Sequence, residues 1–119
     1  MQDFQELQVW QKAHELTLEI YKLTQGFPVE ERFGLQSQIR RAAVSIASNI
    51  AEGCGRGSDA DFARFLQMAS GSVSEVKYQL ILARDLGYIS RDDGAIRFKL
   101  ASEVEKMLKG LTQKVSSGL

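Results

Sequence analysis

One histidine, one cysteine and a small set of arginines are the residues of this sequence with the most chemistry to offer. A cysteine nucleophile or a histidine base works only with a partner in hydrogen-bond reach. His14 recurs at helical steps with Trp10, Thr17 and Tyr21, which makes it a helix-packing residue. Cys54 falls between Gly53 and Gly55, in a turn where its thiol would be open to reaction, but no Cys-His or Ser-His-Asp order supplies a base. A single Cys and a single His fall short of the four ligands usual for zinc, and the Glu-x-x-His pairs of di-iron bundles are missing. The run Gly53-Cys54-Gly55-Arg56-Gly57 has the look of a phosphate-cradling loop, yet no Gly-Lys-Ser or Gly-Lys-Thr follows and no strand precedes it. The expectation is a protein without catalytic residues, metal or cofactor, and so not an enzyme.

The arginines are a different matter. From Arg32 to Arg56 there are four arginines and one acid, Glu52, whereas Met1 to Glu31 holds two lysines and six acids. Gln38, Arg41, Ser45, Asn49 and Glu52 step by three or four and project within about 80° of one another on a helix. Such a row, with a guanidinium, amides, a hydroxyl and a carboxylate, suits a polar network between helices or subunits. With its arginines it also suits a grip on phosphates. Arg40, Arg41 and Arg56 are the candidates for a nucleic-acid contact. The other class is a protein-interaction scaffold with no nucleic-acid binding, whose arginines meet acids of a neighbouring subunit.

Helices must carry these residues. Val9, Trp10, Ala13, Leu16, Thr17, Ile20, Tyr21, Leu23 and Thr24 recur at three- and four-residue steps, and Gly26-Phe27-Pro28 stops the run. This predicts a first helix over about 5–25. A second is expected over 30–52, ended by Gly53, Gly55 and Gly57. Ser58 or Asp59 can cap a third over 59–86, whose stripe is Phe62, Phe65, Leu66, Ala69, Val73, Val76, Leu80 and Ala83. Leu86-Gly87-Tyr88-Ile89 resembles the end of a winged-helix recognition helix, but no wing follows and the helix is far too long. A polar turn, Ser90 to Gly94, precedes a fourth helix over 95–116 with its seam at Leu100, Val104, Met107, Leu111 and Val115. Four such helices with short connections predict an all-α, antiparallel up-down four-helix bundle in a single domain, residues 1–119.

Two of the helices carry more apolar surface than one core uses. Val44, Ala47 and Ala51 lie away from the core face of the second. Met68, Gly71, Tyr78 and Leu82 lie away from that of the third, where a mid-helix glycine costs about 1 kcal/mol unless close packing uses it. These seven form the expected oligomer seam, and the first partner is the chain itself.

The 119 residues suffice for one core, and 44% hydrophobic with 25% charged residues is ordinary for a globular chain. Fifteen basic and fifteen acidic residues cancel, so no global field draws the protein to nucleic acid or an anionic membrane. A lone cysteine, no signal-peptide pattern and no long uncharged apolar run point to the cytoplasm and to no membrane.

Taken together, Leu7-Gln8-Val9-Trp10-Gln11-Lys12-Ala13, Phe27-Pro28 with Glu31, the run from Gly34 to Ile46, Ser48-Asn49-Ile50-Ala51-Glu52-Gly53, Arg56, Phe65-Leu66 and Ala69-Ser70-Gly71-Ser72 carry a resemblance. They resemble a bacterial family of four-helix bundle proteins first known from reading frames in intervening sequences of large-subunit ribosomal RNA genes. The resemblance implies a four-helix bundle and ring-forming homo-oligomers, pentamers above all, whose molecular function is unsettled. A similar bundle is the accessory protein of diversity-generating retroelements, where a basic ring binds nucleic acid and the reverse transcriptase. This chain, neutral and with a pI of about 6.6, departs from that basic character. RNA or DNA is therefore an open partner, and no protein partner other than itself is indicated.

Overall fold

The computed structural model describes residues 3–118, and within them the only regular structure is helical. A 3-10 turn, Phe4–Glu6, leads into α1, Gln8–Thr24; a second, Val29–Glu31, precedes α2, Leu35–Cys54; α3 is Asp59–Asp85 and α4 is Arg91–Ser117. Contacts run α1 to α2, α2 to α3, α3 to α4 and α4 to α1, with none across the diagonals, so the four helices stand at the corners of a square. The rings of Phe27 and Tyr88 meet at 5.6 Å, and the Tyr88 hydroxyl donates to Glu31 Oε2 at 2.8 Å. That brings the α1–α2 and α3–α4 connections to one end, as up-down topology requires.

Several boundaries differ from the sequence pattern for local reasons. Helix α2 starts at Leu35, not near residue 30, because Pro28 opens a separate 3-10 turn and Gly34 breaks it from the helix. Glu31 then serves as the missing cap, its Oε1 accepting from the Leu35 N–H at 3.0 Å. Helix α4 starts at Arg91 rather than 95. Ser90 accepts from the Asp93 N–H at 3.0 Å, and Asp92 and Asp93 sit in the first turn, where the helix dipole favours acids. What reads as a polar turn is an N-terminus. Helix α3 closes on Gly87, whose φ of +79° lets the Gly87 and Tyr88 N–H groups reach Arg84 O and Ala83 O.

The glycine cluster leads sequence reasoning to end α2 at Glu52, but the helix continues through Gly53 and Cys54. Gly53 is buried against α3: a Cβ there would lie 2.8 Å from Phe65 Cβ and 3.0 Å from the Phe62 ring. It is a contact glycine first and a helix terminator second.

The core is one cluster drawn from all four helices, with Leu16, Ile20, Ile39, Ile46, Ile50, Leu66, Val73, Val76, Val104 and Leu108 fully buried. Each such side chain contributes roughly 1.5–3 kcal/mol of transfer free energy. On α4 the buried line is Ala101, Val104 and Leu108, whereas Leu100, Met107, Leu111 and Val115 are half-buried at its rim. The expected seam is thus rotated, because Ala101 lets α4 approach closely at a position too small to register as apolar weight in the sequence.

Candidate functional site

The polar stripe of α2 faces α3 and divides along its length. Ser72 Oγ donates to Ser45 Oγ at 2.9 Å, and Asn49 Nδ2 donates to Ser45 Oγ at 3.0 Å and to Ser45 O at 2.9 Å. Three small polar side chains thereby fix the register of the two helices. Glu52 turns instead to Arg56, 3.9 Å away. Gln38 and Arg41 are exposed and line a shallow groove with Ala42, Ser45 and Glu75. Arg41 makes no hydrogen bond or ion pair among the described residues. Beneath the groove, Gln79 Nε2 donates to Glu75 at 3.3 Å, while its buried Oε1 has no partner among the described residues.

The other two arginines are engaged in packing. Arg40 reaches across to the end of α1: its Nε donates to Thr24 Oγ1 at 2.8 Å, a terminal nitrogen donates to Tyr21 O at 3.2 Å, and its plane lies over the Tyr21 ring at 4.5 Å. Thr24 is wholly buried and passes its own proton to Ile20 O at 2.7 Å, so Arg40 supplies the donor its oxygen needs. Arg56 lies 4.7 Å from the Phe65 ring centroid, and Arg64 lies at the same distance. Two guanidiniums therefore share one ring, which is only 4% exposed. Sequence reasoning passes over Arg64, although its place beside Phe65 at the head of α3 is the signal that could have found it.

His14 stacks on Trp10, with centroids 5.2 Å apart and planes 8° from parallel, and Trp10 meets Phe4 edge-on at 5.1 Å. The imidazole is exposed and has no acid or nucleophile bound to it among the described residues. Cys54 is not in an open turn: it is buried at the end of α2, and burial, with Asp3 adding to it, pushes its thiol pKa up. That holds it as the less reactive thiol at neutral pH. No group of three His, Cys, Asp or Glu among the described residues is placed to hold a metal, and no described helix is long and apolar enough to cross a membrane.

The apolar candidates fall on two separate sides of the square. Val44, Ala47 and Ala51 lie within about 60° of one another on the α1 side of α2, the side from which Arg40 reaches Thr24. Leu18 and Tyr21 of α1, exposed by 50% and 40%, extend that side; Leu18 gave no signal in the sequence because it lies off the core period. Met68, Gly71, Tyr78 and Leu82 lie on the outer arc of α3. Met68 and Tyr78 are well exposed, and a Cβ on Gly71 would meet nothing within 4 Å. Ala47 and Leu82 are partly used by the chain's own core.

The family model described as 23S rRNA-intervening sequence protein matches residues 5–110. A crystal structure of a protein of unknown function from the S23 ribosomal protein family of Bacteroides thetaiotaomicron is similar in fold, with a TM-score of 0.79. It is 29% identical, over 87% of this chain and 97% of that one. No curated protein matches the sequence.

Proposed function

We propose that this chain, which belongs to the 23S rRNA-intervening sequence protein family, is a non-enzymatic building block of the cytoplasm that closes head to tail into a homo-oligomeric ring. The observation that carries this reading is the pair of unlike apolar flanks. One is the α1–α2 side with Leu18, Tyr21 and Val44, and the other is the outer arc of α3 with Met68, Gly71 and Tyr78. An isologous dimer pairs one patch with itself, whereas two different patches that fit one another join head to tail, which gives a ring where the rotation closes and a filament where it does not. Gly71 supports it from the other direction: nothing in its own chain occupies the space beside it, so a neighbouring helix can approach its backbone. Five subunits is the number that the family resemblance implies.

The engagement of Arg40 with Thr24 and of Arg56 with Phe65 speaks against a nucleic-acid grip built from Arg40, Arg41 and Arg56. Arg41 alone of the three is free among the described residues, and its position beside Glu75 suits a contact across a subunit boundary.

Sedimentation velocity tests this directly. The wild-type chain is expected to sediment as a closed oligomer, and Val44→Glu and Tyr78→Glu, each spoiling a different flank, are each expected to be monomeric. Mixed, the two variants retain one good copy of each flank and should form a one-to-one heterodimer. A monomeric wild type, or a mixture that stays monomeric after both variants have dissociated, overturns the head-to-tail reading.

A further inference from the structure

The acids and bases of α4 are unevenly spent. Glu103 holds Lys12 of α1 at 3.6 Å, Glu105 holds Lys77 of α3 at 3.0 Å, and Asp93 holds Arg97 at 3.0 Å. Lys99, Lys106 and Lys109 have no ion pair among the described residues, and all three are exposed; of the acids of α4 only Asp92, two turns before Lys99 on the same face, is likewise unpaired among the described residues. On the helix they project within about 80° of one another and span about 15 Å, away from the buried line of α4 and along the rim of its grooves with α3. From Lys106 onward the sequence holds three lysines and no acid. Lys114, in the last turn, also complements the helix dipole, but that effect fades within a turn and gives no reason for a base at 99, 106 or 109.

The adjoining groove between α3 and α4 has the same character. Gln67, Ser70, Ser102, Thr112 and Gln113 line it beside Lys106 and Lys109, and its one acid, Glu105, is the carboxylate already held by Lys77. We infer that this face of α4 is a binding track for the phosphodiester backbone of a nucleic acid, the lysines meeting phosphates and the neighbouring hydroxyls and amides donating hydrogen bonds to phosphate and sugar oxygens. A strand of duplex presents a phosphate every 3.4 Å or so along the axis, so a 15 Å track covers about four. A lipid surface is the poorer fit, because Ala95, Ser102, Gly110 and Gln113 lie among the lysines and the one large apolar side chain exposed beside them, Ile96, stands at one end of the row rather than forming a face that could insert. The contact carries no base readout and is sequence-independent. It goes beyond the ring proposed above and uses none of its flank residues.

The test is fluorescence anisotropy of the whole chain with a labelled single-stranded RNA 20-mer and a DNA duplex, titrated from 50 to 200 mM salt. Four lysine contacts, Lys114 included, predict an affinity for the single strand that falls about fiftyfold over that range. Lys99→Gln/Lys106→Gln/Lys109→Gln should weaken binding at 50 mM by at least about tenfold and leave only a shallow salt dependence. The triple Lys→Arg variant should bind like wild type. A control of equal net charge, Lys22→Gln/Arg32→Gln/Arg84→Gln, should also bind like wild type. The inference is overturned if the wild type shifts neither nucleic acid at 50 mM salt, or if the control loses as much as the track variant. It is equally overturned if the track variant dissociates the oligomer, or if phosphatidylserine vesicles capture the chain while nucleic acid does not.

Discussion

Gly71 and Gly110 form a matched pair whose substitution distinguishes an associating chain from an isolated one. Both stand in the interior of long helices, both are exposed, and a Cβ at either meets nothing within 4 Å. In an isolated bundle, Gly→Ala at each removes only backbone freedom of the unfolded chain and should stabilise by about 0.5–1 kcal/mol. For a domain of this length, that corresponds to about 2–6 °C in Tm. Gly→Arg gains almost as much, since arginine is nearly as good a helix former as alanine and the space is open. The two sites part company once copies associate. On the α3 flank a side chain as long as arginine holds a neighbouring helix away, so Gly71→Arg should sediment as a monomer whose Tm no longer rises with protein concentration. Gly110→Arg, on the α4 face, should keep both the oligomer and the concentration dependence. Calorimetry over a hundredfold concentration range, paired with sedimentation velocity, separates the cases. If the two arginine variants behave alike, the outer arc of α3 is not an interface.

Gly53→Ala should act in the opposite sense to Gly71→Ala: its Cβ would sit 2.8 Å from Phe65 Cβ, an atom fixed to the α3 backbone, and overpacking of this kind costs about 1–3 kcal/mol by urea denaturation. Arg40→Ala leaves the buried Thr24 oxygen without its donor and should cost about 1–3 kcal/mol in the same assay, with nucleic-acid affinity unchanged, since that arginine is a packing residue. Hydrogen bonds from the Leu35 N–H and then the Tyr88 hydroxyl hold the Glu31 carboxyl below its ordinary pKa, so its contribution is full above that value and lost as pH falls through the folded one. Tyr88 is held above its ordinary pKa by the same bond to Glu31, so its share is present below pH 10 or so and lost above it. The urea midpoint should therefore fall at both ends of the pH range, and Tyr88→Phe should flatten the alkaline limb.

The four helices are legible because each carries a long stripe at helical spacing, and no alternating run competes with them. What the spacing misses are features that depend on a second element. Glu31 caps α2 from outside the helix, Gly53 reads as a terminator until the Phe62 and Phe65 rings are seen against it, and the acids after Ser90 read as a turn until Ser90 is seen to cap them. The polar stripe shows the same limit. Its spacing identifies Ser45 and Asn49 as one face, but only the position of Ser72 on α3 makes them a register-setting triad. The arginines were legible as a charge excess and misleading as to its availability, because Thr24 and Phe65, which engage them, lie 16 and 9 positions away in sequence.

Zero net charge is therefore a sum over groups with different tasks. Three of the four acids on α4 are paired with Lys12, Lys77 and Arg97 within the bundle, and Arg40, Arg56 and Arg64 are held over aromatic rings at the α1–α2 side and at the head of α3, away from the α4 lysines. Lys99, Lys106 and Lys109 outnumber the one unpaired acid on their face of α4, Asp92, and local potential governs the approach of a polyanion within a Debye length of about 8–10 Å. A track of three or four lysines binds weakly by itself. Repetition around a ring changes that, since a strand long enough to reach two subunits meets the second at an effective concentration near millimolar. The two proposals then reinforce each other: a neutral chain that assembles can hold a backbone which the same chain as a monomer would release.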